Sequence, residues 1–148
     1  MRLLAKEDKH LGLAVMVIPG KGRGVIALKT YQKGDFVVEY AGELIDRVVA
    51  KEREFEYSLD ITKGSYMSYF NHRNKQFCID ATEETGRYGR LINHSRKNPN
   101  CVMKVVMLHE QEVPHLILLA KQDIKECGPG TPKCSPSELF ILQHGETN

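Results

Sequence analysis

Gly89 to Ser95 reads "GRLINHS" and runs on through "RKNPNC" to Cys101. Two apolar residues, Leu91 and Ile92, lead straight into Asn93, His94 and Ser95, and the stretch admits four readings: a buried turn, a metal corner, a nucleophile site or a cofactor hook. A metal corner would draw on Cys127 and Cys134 with Cys101, but the four cysteines, Cys78 included, are scattered. The gap from Cys127 to Cys134 is not the close spacing of structural zinc sites, and no second close pair exists. A Ser95 or Cys101 nucleophile served by His94 fails on geometry, because side chains adjacent on extended chain point apart. Buried turn and cofactor hook both stay open.

The surroundings are those of one soluble domain. At 148 residues, with 41% apolar and 27% charged, the chain is long enough for one core and short for two. A formal charge of +2 is too small for wholesale phosphate neutralisation, so sequence-specific nucleic-acid binding is not expected. From Asp35 to Glu84 acids outnumber Lys plus Arg eleven to six, whereas Arg87 to Lys104 is purely basic. An acidic face would attract a basic peptide, and a solvated surface of mixed sign accounts for the pattern equally well. "MRLLAKEDKH" lacks the apolar core of a signal peptide, and the scattered cysteines suit a reducing compartment, so an intracellular protein is expected and the Asn93-His94-Ser95 sequon is discounted. No apolar run approaches the roughly 20 residues of a membrane span.

Strand character recurs in "LAVMVI" (13–18), "GVIAL" (24–28), "DFVVEY" (35–40), "QFCID" (76–80), "CVMKVVML" (101–108) and "HLILLA" (115–120), each bounded by turn-formers or charges. One helix is predicted from Asp46 to Phe55, with Asp46 as cap and Val48, Val49 and Phe55 facing inward. So few helices leave nothing to cross over between parallel strands, and mostly antiparallel sheets follow. "GKGRGV" (20–25) places glycines at alternate positions ahead of a strand rather than a helix. That fits either a tight β-turn or a backbone laid against a ligand, with Lys21 and Arg23 reaching its polar atoms. Tyr40, Tyr66, Tyr69 and Phe70 supply aromatic faces that are core by default and gain interest where a cation needs a π-lined channel.

The order "GKGRGVIA", "GDFVVEYAGELI", "FCIDAT", "GRLINHS" with "PNC", and "VPHLILLAKQDI" resembles a SET-domain protein-lysine methyltransferase over residues 12 to 125. The wording "GKGRGVIA", "DFVVEY" and "VPHLILLA" is most similar to the Set8 group, which monomethylates histone H4 at lysine-20. The resemblance implies a mostly β, SET-domain (β-clip) fold of small antiparallel sheets with few short helices, closed by a knot-like crossing in which a C-terminal segment threads beneath the Asn-His loop. It implies S-adenosylmethionine held by Lys21, Gly22, Arg23, Tyr66, Asn93 and His94, with Tyr40 and Tyr66 walling a lysine channel. It further implies a histone H4 tail or nucleosome as partner, a nuclear, chromatin-bound setting, no membrane, no metal, and a monomer. In such chemistry the reacting lysine must be neutral, and from a pKa of about 10.4 that costs on the order of 4 to 5 kcal/mol at pH 7 unless an apolar channel lowers it.

The similarity breaks off after Lys125. The family continues with Gly-Glu-Glu-Leu and a Tyr-Asp-Tyr-Gly motif whose first Tyr orients the amine; here "ECGPGTPKCSPS" follows, and no Tyr occurs after Tyr88. The expectation is therefore a flank (1–11), a domain (12–125) and a divergent Pro/Gly-rich tail (126–148), with the catalytic hydroxyl and the threading strand both missing. A methyltransferase of reduced activity, a non-catalytic cofactor- or histone-binding module, and an inactive splice or gene-model product are the three readings this leaves.

Overall fold

The computed structural model describes residues 8–9, 11–20, 22–64, 66–108, 111–126 and 137–142. β1 (Leu13–Ile18) and β2 (Gly22–Ala27) form an antiparallel hairpin in register from Leu13↔Ala27 to Ile18↔Gly22. Its glycines do two different jobs. Gly20 and Gly22 sit at φ 80° and 87°, in the left-handed region that side chains disfavour. Gly24 is there for closeness: a Cβ would fall 2.5 Å from Ile18 Cδ1 and 2.9 Å from Glu138 Oε2.

β3 (Phe36–Glu39), β4 (Glu43–Asp46), β5 (Met67–His72) and β6 (Lys75–Asp80) follow, then β7 (Asn93–Ser95), β8 (Cys101–Leu108), β9 (Gln111–Ala120) and β10 (Phe140–Leu142). A three-stranded sheet runs β4-β6-β5, and a five-stranded sheet runs β3-β9-β8-β10-β7. β9 lies between β3 and β8, and its Leu116, Ile117 and Leu118 are buried on both faces, as expected of a covered central strand. Pro114 is tolerated in it because β3 pairs only with Ile117 to Leu119, leaving Pro114 without a ladder bond to donate on that side. Four short strands, β4, β5, β7 and β10, were not legible beforehand.

The helix α1 spans Arg47–Ser58, and Asp46 caps it by accepting from Val49 N at 2.9 Å. Its facing corrects the sequence reading. Val48 and Phe55 are 69% and 67% exposed, whereas Ala50 is fully buried against Ile45 and Cys78. Val49 does pack against that cluster as expected, and the helix docks through it, Ala50 and two polar residues: Arg53 Nη1 and Tyr57 Oη both donate to Asp80 at the end of β6, at 3.1 and 2.6 Å. Fixed hydrogen-bond anchors, rather than the apolar stripe, decide which side faces the sheet.

The tail requires a second correction, because Ser137–Leu142 is a threaded closing segment. β10 pairs in parallel with β7, Phe140↔Asn93 to Leu142↔Ser95, and with β8 at Ile141↔Cys101. Ala27 N donates to Ser137 O (2.9 Å), Leu139 N to Val25 O (2.8 Å) and Phe140 N to Asn100 Oδ1 (2.8 Å). Leu139 and Ile141 are buried in the main core with Val25, Val38, Leu116 and Leu118. The expected Tyr is still missing from the strand, which reads Phe-Ile-Leu. Cys127 and Cys134 lie outside the described residues; Cys78 and Cys101 are free and buried, and burial pushes both thiols up to about 12. Among the described residues no three His, Cys, Asp or Glu gather as metal ligands, and no helix is long and apolar enough to cross a membrane.

Leu139→Ala is expected to cost about 2–5 kcal/mol in urea unfolding, and Phe55→Ser to stay within about 0.5 kcal/mol. Equal stability of Leu139→Ala and the parent chain would contradict a core-seated closing strand.

Candidate active site

The Asn-His turn is built on close approach. Gly89 opens a 3-10 turn, Gly89–Leu91, and a Cβ there would fall 2.4 Å from Glu39 O and 2.9 Å from Tyr40 Cα. Leu91 N donates to Tyr88 O at 2.9 Å and Ile92 N to Gly89 O at 3.2 Å, and both side chains enter the core. Asn93 then ties three segments together: its Nδ2 donates to Arg23 O in the glycine hairpin (3.1 Å) and to Glu138 Oε2 beside the closing strand (3.2 Å). His94 is exposed and lies opposite Ile141.

Beside this turn is a cleft of about 440 Å³ lined by Arg23, Tyr57, Lys63, Tyr66, Glu84 and Arg90 among others. Arg90 is its distinctive member and was missed at the level of sequence. It is only 6% exposed, donates through Nε to Ala81 O (2.7 Å) and Nη2 to Thr82 O (3.2 Å), and lies 4.1 Å from the centre of the Tyr66 ring. Its Nη1 is buried with no hydrogen-bond partner in the protein; the nearest carboxylate oxygen, Glu84 Oε1, is 3.8 Å away. The signal was its position in "GRLI": an Arg flanked by residues bound for the core must carry its own partners inward. Arg23 pairs with Glu84, and that contact raises the Arg23 guanidinium above, and lowers the Glu84 carboxyl below, their ordinary values. Both side chains are well exposed, so the pair orders the rim more than it stabilises the fold.

Of the sequence-predicted residues, Arg23 and Tyr66 share the cleft, Asn93 reaches it through the Arg23 carbonyl, and Gly22 exposes backbone with open space above its Cα. Lys21 lies outside the described residues. Tyr40 is buried in the core with Tyr66 packed against the same cluster; burial pushes its phenol well above the ordinary range, with Arg90 opposing.

Asp80 holds the outer wall. Burial works against its charge, but Thr82, Tyr57 and Arg53 all donate to it, and the net effect holds its carboxyl below the usual range.

This fold and this turn define a SET domain: the chain belongs to the SET-domain family, whose model matches residues 22–128. Among its relatives, the histone-lysine N-methyltransferase Set8 of Drosophila pseudoobscura pseudoobscura is 52% identical over 140 residues, covering 95% of this chain and 18% of that one. The N-lysine methyltransferase KMT5A of Xenopus tropicalis is 53% identical over 121 residues, 82% of this chain and 35% of that one. The crystal structure of CpSET8 from Cryptosporidium superposes with a TM-score of 0.76 at 42% identity, covering 92% of this chain and 58% of that one. The chain thus spans less than two thirds of each. The Drosophila match takes in 95% of the chain, so it runs past Lys125 into the segment read from sequence as unrelated.

Because the Asp80 carboxyl titrates lower folded than unfolded, its stabilisation is complete above about pH 4 and is lost as pH falls through the folded value. Asp80→Asn should therefore show a flatter loss of stability between about pH 4 and pH 2 than the parent in denaturant titrations; parallel curves would remove Asp80 from the acid response.

Proposed function

We propose that the chain binds S-adenosylmethionine at the cleft bounded by Arg23, Tyr66, Arg90 and the Asn93–His94 turn, and serves methylation of a histone lysine, lysine-20 of histone H4, on chromatin in the nucleus. What supports the reading is a cleft that gathers Arg23, Tyr66 and Arg90, with Asn93 donating to the Arg23 carbonyl from a turn paired with β10, in a chain about half identical to proteins named histone-lysine and N-lysine methyltransferases. When bound, S-adenosylmethionine supplies a methyl group activated on a positively charged sulfur.

The residues present fit such a molecule. The unpartnered Arg90 Nη1 and the rim Arg23 are donors of the kind a carboxylate takes, and Tyr66 offers a π face to a cation. Lys21, Gly22, Asn93 and His94 complete the proposed cofactor set. On the substrate side, Tyr40 and Tyr66 would wall the lysine. Tyr40 is neutral and buried, so it adds no charge to a channel whose low polarity lowers the amine pKa. Acids on the Asp35 to Glu84 segment suit a basic histone tail. The domain works as a monomer.

A specific observation favours a second reading, a non-catalytic module that retains cofactor or histone binding. All six Tyr (31, 40, 57, 66, 69 and 88) precede β10, and the closing strand brings Phe140, Ile141 and Leu142 to the place where the family resemblance calls for a phenol. Without that hydroxyl the amine loses one orienting contact, and misorientation by about 1 Å costs on the order of 100-fold in rate.

With labelled S-adenosylmethionine and H4 peptide or nucleosomes, the chain is expected to bind the cofactor yet methylate on the order of 100-fold more slowly than a version whose residues 137–148 are replaced by a Tyr-bearing closing segment. Equal rates would remove the missing phenol as a cause. Failure of the parent to bind cofactor in calorimetry would remove the site assignment. In the repaired chain, His94→Ala should weaken cofactor binding about tenfold, the loss of one hydrogen bond.

A further inference from the structure

Asp8 lies ahead of residue 22, where the family match begins, yet its side chain is 1% exposed. It accepts Arg87 Nε at 3.0 Å, Arg87 Nη2 at 3.2 Å and the Tyr88 backbone N–H at 2.9 Å. Arg87 Nη2 also reaches Glu39 Oε1 at 3.5 Å, and the other Glu39 oxygen lies 2.9 Å from His115 Nδ1. Burial works against the Arg87 guanidinium, yet Asp8 and Glu39 hold it more firmly protonated than an ordinary arginine. A buried carboxylate is tolerable only with partners of this quality.

The two ends of this chain of charges meet the two halves of the proposed site. Tyr88 supplies the carbonyl that Leu91 N grips, and the turn it opens runs directly into Asn93 and His94. Glu39 immediately precedes Tyr40 on β3, and Gly89 packs against the Glu39 carbonyl and the Tyr40 Cα with no room for a Cβ. The chain from Leu11 onward has other anchors than the Asp8 side chain. They are the six-pair β1–β2 ladder, Leu28 N donating to Gly12 O at 2.8 Å, and Tyr31 Oη donating to Leu11 O. Among the described residues, the Asp8 side chain accepts hydrogen bonds from residues 87 and 88.

We infer that Asp8 is a positioning residue: through Arg87 and the Tyr88 amide it fixes the Asn93–His94 turn against the Tyr40 strand, which makes the segment before the family's boundary part of the working site. Its relevance to the cofactor rests on the reading given under Proposed function.

Two variants test this in the full chain. Asp8→Asn removes the charge at nearly constant shape; Asp8→Asn combined with Arg87→Gln removes both charges of the pair and leaves Glu39 with His115 as its neighbour. In amide hydrogen exchange, both are expected to speed Leu91 and Ile92 by about tenfold or more while Phe70 and Phe77 in the β5–β6 hairpin keep parental rates. A simple N-terminal anchor would leave Leu91 and Ile92 unchanged, and that result in the double variant overturns the proposal. In the same preparations, S-adenosylmethionine affinity should fall about tenfold, with the H4 peptide KM unmoved in the Tyr-repaired background. Faster loop exchange with undiminished cofactor affinity would overturn the functional part of the inference. Faster exchange in a parent that binds no cofactor at all would uphold Asp8 as the fixer of the turn and bring down the cofactor reading instead.

Discussion

Asn100 uses both ends of its amide on the closing strand: Nδ2 donates to Glu138 O at 3.0 Å and Oδ1 accepts from Phe140 N at 2.8 Å. Its own backbone N–H donates to Phe140 O at 3.1 Å, and its carbonyl accepts from Lys121 N at 2.8 Å at the end of β9. One residue thus clips β10 to the start of β8 through its amide and to the end of β9 through its carbonyl. Everything else in the site depends on that seating. With β10 in place, Glu138 reaches Asn93, Asn93 reaches the Arg23 carbonyl, and the glycine hairpin is held over the turn. Leu139 and Ile141 supply the burial that makes the seating favourable, since a three-residue strand gains little from its ladder alone.

The cleft that results is governed by where positive charge sits. Arg90 is carried inward by a turn with no space for side chains on its near side, and two backbone carbonyls and an aromatic face satisfy most of it. The remaining Nη1 has no hydrogen-bond partner and only the Glu84 carboxylate at 3.8 Å, and a buried donor left so costs free energy. Arg23 contributes differently. It is exposed and paired to Glu84, a contact worth little to the stability of the fold.

Particular elements mark how far the sequence could be read. β1 and β8 were read to the residue, because alternation and turn residues at both ends are local signals. The cap at Asp46 was equally local. α1 was read correctly at Val49, which packs against Ile45 and Cys78, but not at Val48 and Phe55, which the Arg53 and Tyr57 contacts to Asp80 leave facing solvent. β10 was missed because a Pro/Gly-rich stretch precedes it and because its partners, β7 and β8, lie some forty residues upstream. Arg90 and Asp8 were missed because the worth of a buried charge depends on partners that sequence does not place.

By itself the sequence determined the motif series, the small-sheet β architecture, the Leu91–Ile92 anchor and the absence of a tyrosine beyond Tyr88. These are properties of composition, order and short-range periodicity. Tertiary structure decided that the tail returns as a strand, that α1 turns Val48 and Phe55 outward, and that Asp8, Arg87 and Glu39 form one buried series. The physical reason is common to all three. Each is settled by contacts between residues far apart in the chain, where a hydrogen bond or ion pair gains its worth only after the rest of the core has excluded water.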